Sequence, residues 1–393
     1  MVRRGGWLGL AGAVAVASAA MAQDTTMVQG GIYQRPFLVS EGRTAVGGYA
    51  EGGASWFRTD GVGEGAGLEL RRFNIFLFSS AGRRLRFISE LEFEHGTEEI
   101  ALETALVDFT ITPSLILRGG ILLPPVGAFN VNHDAPRYDF VDRPLVSTEV
   151  IPATLSEPGI GVHGRLAPPG FSLSYDAYLT NGLDEGVLLN ESGRTRLASG
   201  KGEERFAEDN NGSPALSARI GAQRRDLGEV GLSVYGGIYN RYRIEGERVD
   251  EPRWLSLVAL DLATTIGALD LRGEVARAAV NLPADLREML GGTQWGFHLD
   301  AVLPVWHPRI AALEDPVVSL GLRLERVDYN VGTFTSTGAS IGDETSAVTL
   351  AASLRPVPGT VFRLNYRRES HRDLQGNPPV KTAGFQLGFA TYF

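Results

Sequence analysis

Phe385-Gln-Leu-Gly-Phe-Ala-Thr-Tyr-Phe393 carries the fold in its spacing. Phe385, Leu387 and Phe389 fall at every second position, and Phe393 is a further aromatic. A period of two is that of a β-strand with one apolar face. A strand that closes a membrane barrel needs lipid-facing apolar side chains and an aromatic at the interface. The competing reading is the last core strand of a soluble β-sandwich.

Residues 1–22 bear on that choice. Arg3 and Arg4 precede a small apolar run from Trp7 to Ala17, and Ala20-Met21-Ala22 closes it. A positive start, a short apolar core and an A-x-A site spell a secretory signal peptide cut before Gln23. The run is too short to cross a bilayer as a helix. Composition agrees with export and β structure. The chain has no cysteine, which removes disulfides, zinc thiolates and thiol nucleophiles together. Its mean hydropathy is −0.04, so membrane-facing residues must alternate along strands rather than run together. Removing Arg3 and Arg4 takes the formal charge from −9 to −11, which argues against a nucleic-acid partner.

Alternating segments recur at 45–57, 68–78, 85–93, 100–111, 115–122, 159–166, 171–179, 215–222, 229–239, 254–266, 269–280, 294–303, 318–325, 346–355, 361–369 and 383–393. The clearest set Leu91 and Phe93 against Glu90 and Glu92, Leu173 against Asp176, Leu299 against Asp300, and Leu320 and Leu322 against Arg323. Even-numbered joints are mostly tight and hold Pro, Gly and Asp, as turns require; 304–316 is longer. Several odd-numbered joints are long and polar: 122–158, 181–214, 240–252, 281–292, 330–343 and 370–381. Short turns at one end and long loops at the other are the pattern of outer-membrane barrels. The expectation is an all-β, antiparallel transmembrane barrel of about sixteen strands over 44–393. A segment at 23–43 is expected to lie in the periplasm or against the barrel mouth.

The third odd joint is the candidate functional element. Residues 127–157 combine Pro136, Pro144 and Pro152 with His133, Asp134, Arg137, Asp139, Asp142, Arg143 and Glu149. Charged groups at a constriction decide which ion passes, so Arg137, Arg143, Asp134, Asp139, Asp142 and His133 are candidate constriction residues; an ordinary surface loop is the alternative. On the inward faces the register places Arg86, Glu90, Glu92, Arg118, Arg165, Asp176, Arg219, Arg272, Asp300, Arg323, Arg363 and Arg367 along the lumen.

A resemblance reinforces this reading. FISELEFEH (87–95), LRGGILLPPVGAFNVNHDAPRYDFVDRPLV (117–146), IPATLSEPGIGVHG (151–164) and GGIYQRPFLVSEGRTAVGGY (30–49) resemble the phosphate-selective porin O and P family. Phe393 on its alternating strand resembles the terminal signature read by the bacterial barrel-assembly machinery. The family resemblance implies a passive channel for small hydrophilic solutes or ions, including anions such as phosphate, commonly a homotrimer in outer-membrane lipid. The inward faces depart from an anion-binding lumen, because arginines and carboxylates nearly balance.

Catalytic signals are thin. The sequence has no G-x-S-x-G, H-E-x-x-H or Walker loop. His163 near a strand serine could serve a hydrolase, and 208–212 (EDNNG) holds oxygen ligands suited to calcium, though a solvated loop tip explains it as well. No enzyme, cofactor or metal is expected. The alternatives to a channel are a non-conducting barrel with a structural or adhesive role through its extracellular loops, and an outer-membrane hydrolase.

Overall fold

A computed structural model describes Arg35, residues 39–41, 44–63, 65–96, 98–202, 205–310, 312–313 and 315–393. The expected signal peptide lies outside the described residues, as does most of 23–43. Sixteen antiparallel strands form the barrel: β1 Thr44–Thr59, β2 Gly67–Ala81, β3 Leu85–Glu94, β4 Glu99–Thr112, β5 Leu115–Leu122, β6 Glu157–Leu166, β7 Ser172–Thr180 and β8 Ala215–Arg224. They continue as β9 Gly228–Ile238, β10 Trp254–Ile266, β11 Leu269–Val280, β12 Thr293–Trp306, β13 Val317–Asp328, β14 Glu344–Arg355, β15 Thr360–Arg372 and β16 Val380–Tyr392. Each pairs with its neighbours in sequence, and β1 pairs with β16 from Tyr49↔Tyr392 to Thr59↔Thr382, closing the sheet. Closure removes every free edge, which a bilayer demands of strands.

The faces follow the two-residue period. Leu299, Leu320 and Leu322 are 40%, 53% and 38% exposed on the outer face, while Asp300 and Arg323 on the inner face are 4% and 1% exposed. Glu92 and Asp176 are likewise buried inside. A one-residue slip would exchange these sets. Tight turns at 113–114, 225–227 and 267–268 contrast with the long connections 123–156 and 181–214 at the other end. The first two connections at that second end, 60–66 and 95–98, are short as well.

The seam depends on Phe393. Its amide donates to the Gly48 carbonyl at 3.0 Å, and the Gly48 amide donates back at 3.0 Å. Its ring stacks on Phe73, with centroids 5.3 Å apart. A Cβ at position 48 would lie 2.5 Å from that ring and 2.1 Å from the Asn74 carbonyl oxygen, so only glycine fits. Below this point Val39–Glu41 pairs with β1 through Val39↔Val46 and Glu41↔Thr44, covering the edge that β16 leaves. Replacing Phe393 by Asp removes an aromatic pair worth about 1 kcal/mol beyond its area and sets a charge at the seam. The heat-modifiable, folded fraction on a gel should fall relative to wild type. Equal amounts of folded barrel would refute this role.

Candidate functional site

Residues 123–156 enter the lumen. The segment is stiffened locally by two single 3-10 turns, Phe129–Val131 and Ala135–Arg137, with Pro136 in the first turn of the second, and by a π-turn at Val146–Val150. Asn130 ties its neck. The Asn130 amide nitrogen donates to the carbonyls of Pro124 (2.7 Å) and Leu155 (3.1 Å), and its oxygen accepts from the Leu155 amide at 2.7 Å. One buried side chain thus satisfies three backbone groups that would otherwise be orphaned.

Polar contacts fasten the loop to the wall. Glu274 on β11 accepts from the amides of Ala128 (2.8 Å) and Phe129 (3.4 Å) and from the Ser147 hydroxyl (2.9 Å). Gly127, at φ +69°, donates to the Ser233 hydroxyl, and a Cβ there would meet Glu274 Oε2 at 2.4 Å. Arg323 grips Asp300 through two bonds of 2.6 and 2.7 Å, donates to the Asp142 carbonyl at 2.7 Å, and lies over the Phe140 ring. Arg363 donates to the Phe140 carbonyl, Ser353 and Arg355 hold Asp139, and the Leu145 amide donates to Glu325.

An apolar layer completes the attachment. Val126, Val146, Val150, Ile151 and Leu155 of the loop pack with Leu183, Val187 and Leu197 of the next long connection. The wall supplies Tyr235, Leu255, Leu257, Ala259, Ala276, Ala278, Val280 and Val327. Each buried aliphatic side chain contributes about 1.5–3 kcal/mol. The lumen along β9–β13 is therefore a dry core near its long-loop end. The second connection reaches the same place through Lys201, which donates to the Thr154 carbonyl at 3.3 Å, and Arg205, which donates to the Ser156 carbonyl. Burial and the neighbouring Arg205 push Lys201 down to about 8.

The predicted loop charges have different surroundings. Asp134 is clamped by Arg35 through bonds of 3.0 and 2.7 Å and accepts from the Tyr392 hydroxyl at 2.8 Å. Burial opposes its charge, yet Arg35 and Arg137 hold it down at about 2. Arg137 donates to the Tyr392 hydroxyl (2.9 Å) and Asn132 Oδ1 (3.1 Å). Asp142 accepts from Arg71 (3.0 Å) and Gln386 (2.8 Å); burial raises it, and Arg71, Arg367 and Gln386 together more than offset this, holding it below the usual aspartate range. His133 donates from Nδ1 to the Asn130 carbonyl and faces Glu103 at 3.1 Å through Nε2. Arg143 is placed differently. Its nearest carboxylate, Glu92, is 3.9 Å away, and its Nε and Nη2 have no hydrogen-bond partner.

The lumen wall is largely paired within itself. Arg118 binds Asp108 (2.8 Å), Arg219 binds Asp261 (2.5 Å) and Glu229 (3.4 Å), and Arg367 binds Glu325 and Glu369 (both 2.8 Å). Arg363 binds Glu51 (3.1 Å), Arg72 bridges Glu51, Glu92 and Glu94, and Glu90 receives Arg35 (2.8 Å). The Tyr178 hydroxyl donates to Asp176, and Arg86 donates to Thr110. Arg165 is half-buried beside them, whereas Arg272 is exposed, 5.9 Å from the Tyr138 ring. The space left between the loop and Glu51, Arg72 and Arg363 is about 10 Å³, enough for one water at most.

Glu90, Glu103 and His133 bring potential metal ligands within 4.8 Å of one another, but the Arg35 guanidinium already supplies positive charge there. At 208–212 the oxygens serve turns instead: Asp209 Oδ1 accepts from the amides of Asn211 and Gly212. His163 sits 3.4 Å from Asp108, the carboxylate that Arg118 holds.

Comparison with known proteins matches this geometry at the level of fold. No protein-family model matches the chain. It is similar to an uncharacterized protein of Aquifex aeolicus, 27% identical over an alignment of 337 residues that covers 80% of this chain and 74% of that one. Its fold is similar to that of the anion-selective porin from Comamonas acidovorans, with a TM-score of 0.56 and 12% identity over 89% of this chain and 99% of that one. It is also similar to OmpF of Salmonella typhi in complex with daunomycin (0.56, 10%, over 91% and 100%) and to the outer membrane channel DcaP of Acinetobacter baumannii (0.55, 12%, over 90% and 99%). The shared fold is the porin barrel.

The His133–Glu103 contact generates a pH prediction. Burial disfavours the imidazolium, but Glu103 and Glu90 together outweigh burial and raise the histidine above its ordinary value. A raised folded value means the pair's contribution is complete below about pH 6.5 and fades as pH rises through the folded value. Thermal unfolding of the detergent-folded barrel should show this loss, and His133→Ala should flatten it. An unchanged pH profile in the variant would contradict the assignment.

Proposed function

We propose that the chain is an outer-membrane channel for passive diffusion of small ions and hydrophilic solutes, narrowed by the loop at 123–156. The observation that carries this reading is a closed sixteen-stranded barrel with an apolar exterior and a charged loop bonded across its interior. The N-terminal signal would direct export, the barrel-assembly machinery would insert the strands, and the long connections would face outward. OmpT of Vibrio cholerae, similar in fold at a TM-score of 0.54, is described in a trimer form, and we propose a homotrimer here too.

Solute preference follows from which charges remain available. Phosphate suits arginine, whose fork binds its oxygens in pairs. Most described lumen arginines hold wall carboxylates instead, which leaves too few guanidinium groups for a continuous anion ladder. Arg143 and Arg272 are the cations we assign to ion preference, and they give a weak preference for anions, phosphate among them. The double variant Arg143→Glu with Arg272→Glu changes the local charge by about four units, and a confined low-dielectric passage magnifies each of them. In a planar bilayer at low salt, where screening is weakest, the reversal potential should move toward cations with little change in conductance. Unaltered selectivity would refute the assignment. A barrel that carries no current would overturn the channel reading in favour of one working through its outer loops.

A further inference from the structure

The outer wall at β1, β15 and β16 carries a groove of about 1150 Å³ at the long-loop end. Cross-strand register explains its floor. Trp56, Phe385 and Tyr366 form one outward row, paired Trp56↔Phe385 and Tyr366↔Phe385. The next row outward is Arg58, Ala383 and Arg368, paired Arg58↔Ala383 and Arg368↔Ala383. Strands lie about 4.8 Å apart, so the two arginine backbones are roughly 10 Å apart, with only a methyl group between them. Lys381 adds a third cation one step beyond. Directly below, a second outward groove of about 550 Å³ continues down the same strands and is apolar.

The charges set this face apart. Among the described residues, Arg58, Arg368 and Lys381 form no salt bridge, whereas Arg326 on the same rim is bound by Glu344. The one carboxylate described in the groove, Asp60, accepts from the Lys381 backbone amide at 3.0 Å. An aromatic belt marks the membrane interface, and unpaired cations just outside it attract anionic lipid.

We propose that this groove binds one phosphorylated lipid of the outer leaflet, its phosphate between Arg58, Arg368 and Lys381 and an acyl chain in the apolar groove below. Guanidinium groups match phosphate oxygens in pairs, and the apolar continuation fits the chain. The inference rests on the outward orientation given under Proposed function, but not on conduction.

Native mass spectrometry of the detergent-folded barrel tests it, with diphosphoryl lipid A and its dephosphorylated form as probes. Wild type should retain the diphosphoryl lipid and release the dephosphorylated one. The triple variant Arg58→Gln, Arg368→Gln, Lys381→Gln should bind on the order of a hundredfold more weakly, from three cations near an anionic group. Its bilayer conductance should stay at the wild-type level, which shows that the barrel has folded. Equal retention by the variant, equal retention of the dephosphorylated lipid, or a groove filled by a second copy of the chain would overturn the proposal. Loss of conductance in wild type with lipid binding intact would count against the channel reading alone.

Discussion

A charge carried into a closed barrel must meet a counter-charge or keep its water, because burying it bare is costly. The organisation of the lumen follows from that constraint. The loop at 123–156 brings in acids and bases of both signs, and they are met individually: Arg35 of the segment before β1 for Asp134, and on the wall Arg71 for Asp142, Arg355 for Asp139 and Glu103 for His133. Loop backbone amides are treated the same way by Glu274 and Glu325. Breaking one partner of such a pair leaves the other uncompensated, so the loop is held in one arrangement.

The attachment is of two kinds. Around β13–β16 and β2–β4 the loop is held by ion pairs and charge-assisted hydrogen bonds; along β9–β13 it is held by a dry apolar layer shared with the connection at 181–214. Hydrogen bonds fix position because they are directional, while apolar packing adds strength without direction. Together they hold the loop rigidly in place inside the lumen. Arg143, with a buried edge lacking hydrogen-bond partners, stands apart from this pairing.

Much of the barrel was legible in the sequence because a period of two and the alternation of short and long joints are local signals. Leu322 next to Arg323 already separates outside from inside. The pairing of charges was not legible, since Arg219 meets Asp261 across β9, and Arg363 meets Glu51 across β16, only once the barrel has closed. The dry side of the lumen had a signal that alternation obscured. Residues 254–260 read WLSLVAL, with apolar residues on both faces, which marks a strand buried on both sides. Inward Leu255, Leu257 and Ala259 form part of the floor on which the loop rests. Arg35 gave no warning, because its segment has no period, yet it neutralises both Asp134 and Glu90.

The central claim is that this loop crosses the lumen and is fixed to the far wall. The absence of native cysteine allows a direct test. Asp139 on the loop and Ser353 on β14 are joined by a hydrogen bond of 2.8 Å, although 214 residues apart in sequence. In the double variant Asp139→Cys, Ser353→Cys, a short thiol-specific cross-linker added to the folded barrel should join the two positions, shifting the denatured band on a gel. Two thiols that stay unlinked in the folded barrel and react independently with a bulky reagent from outside would contradict the account.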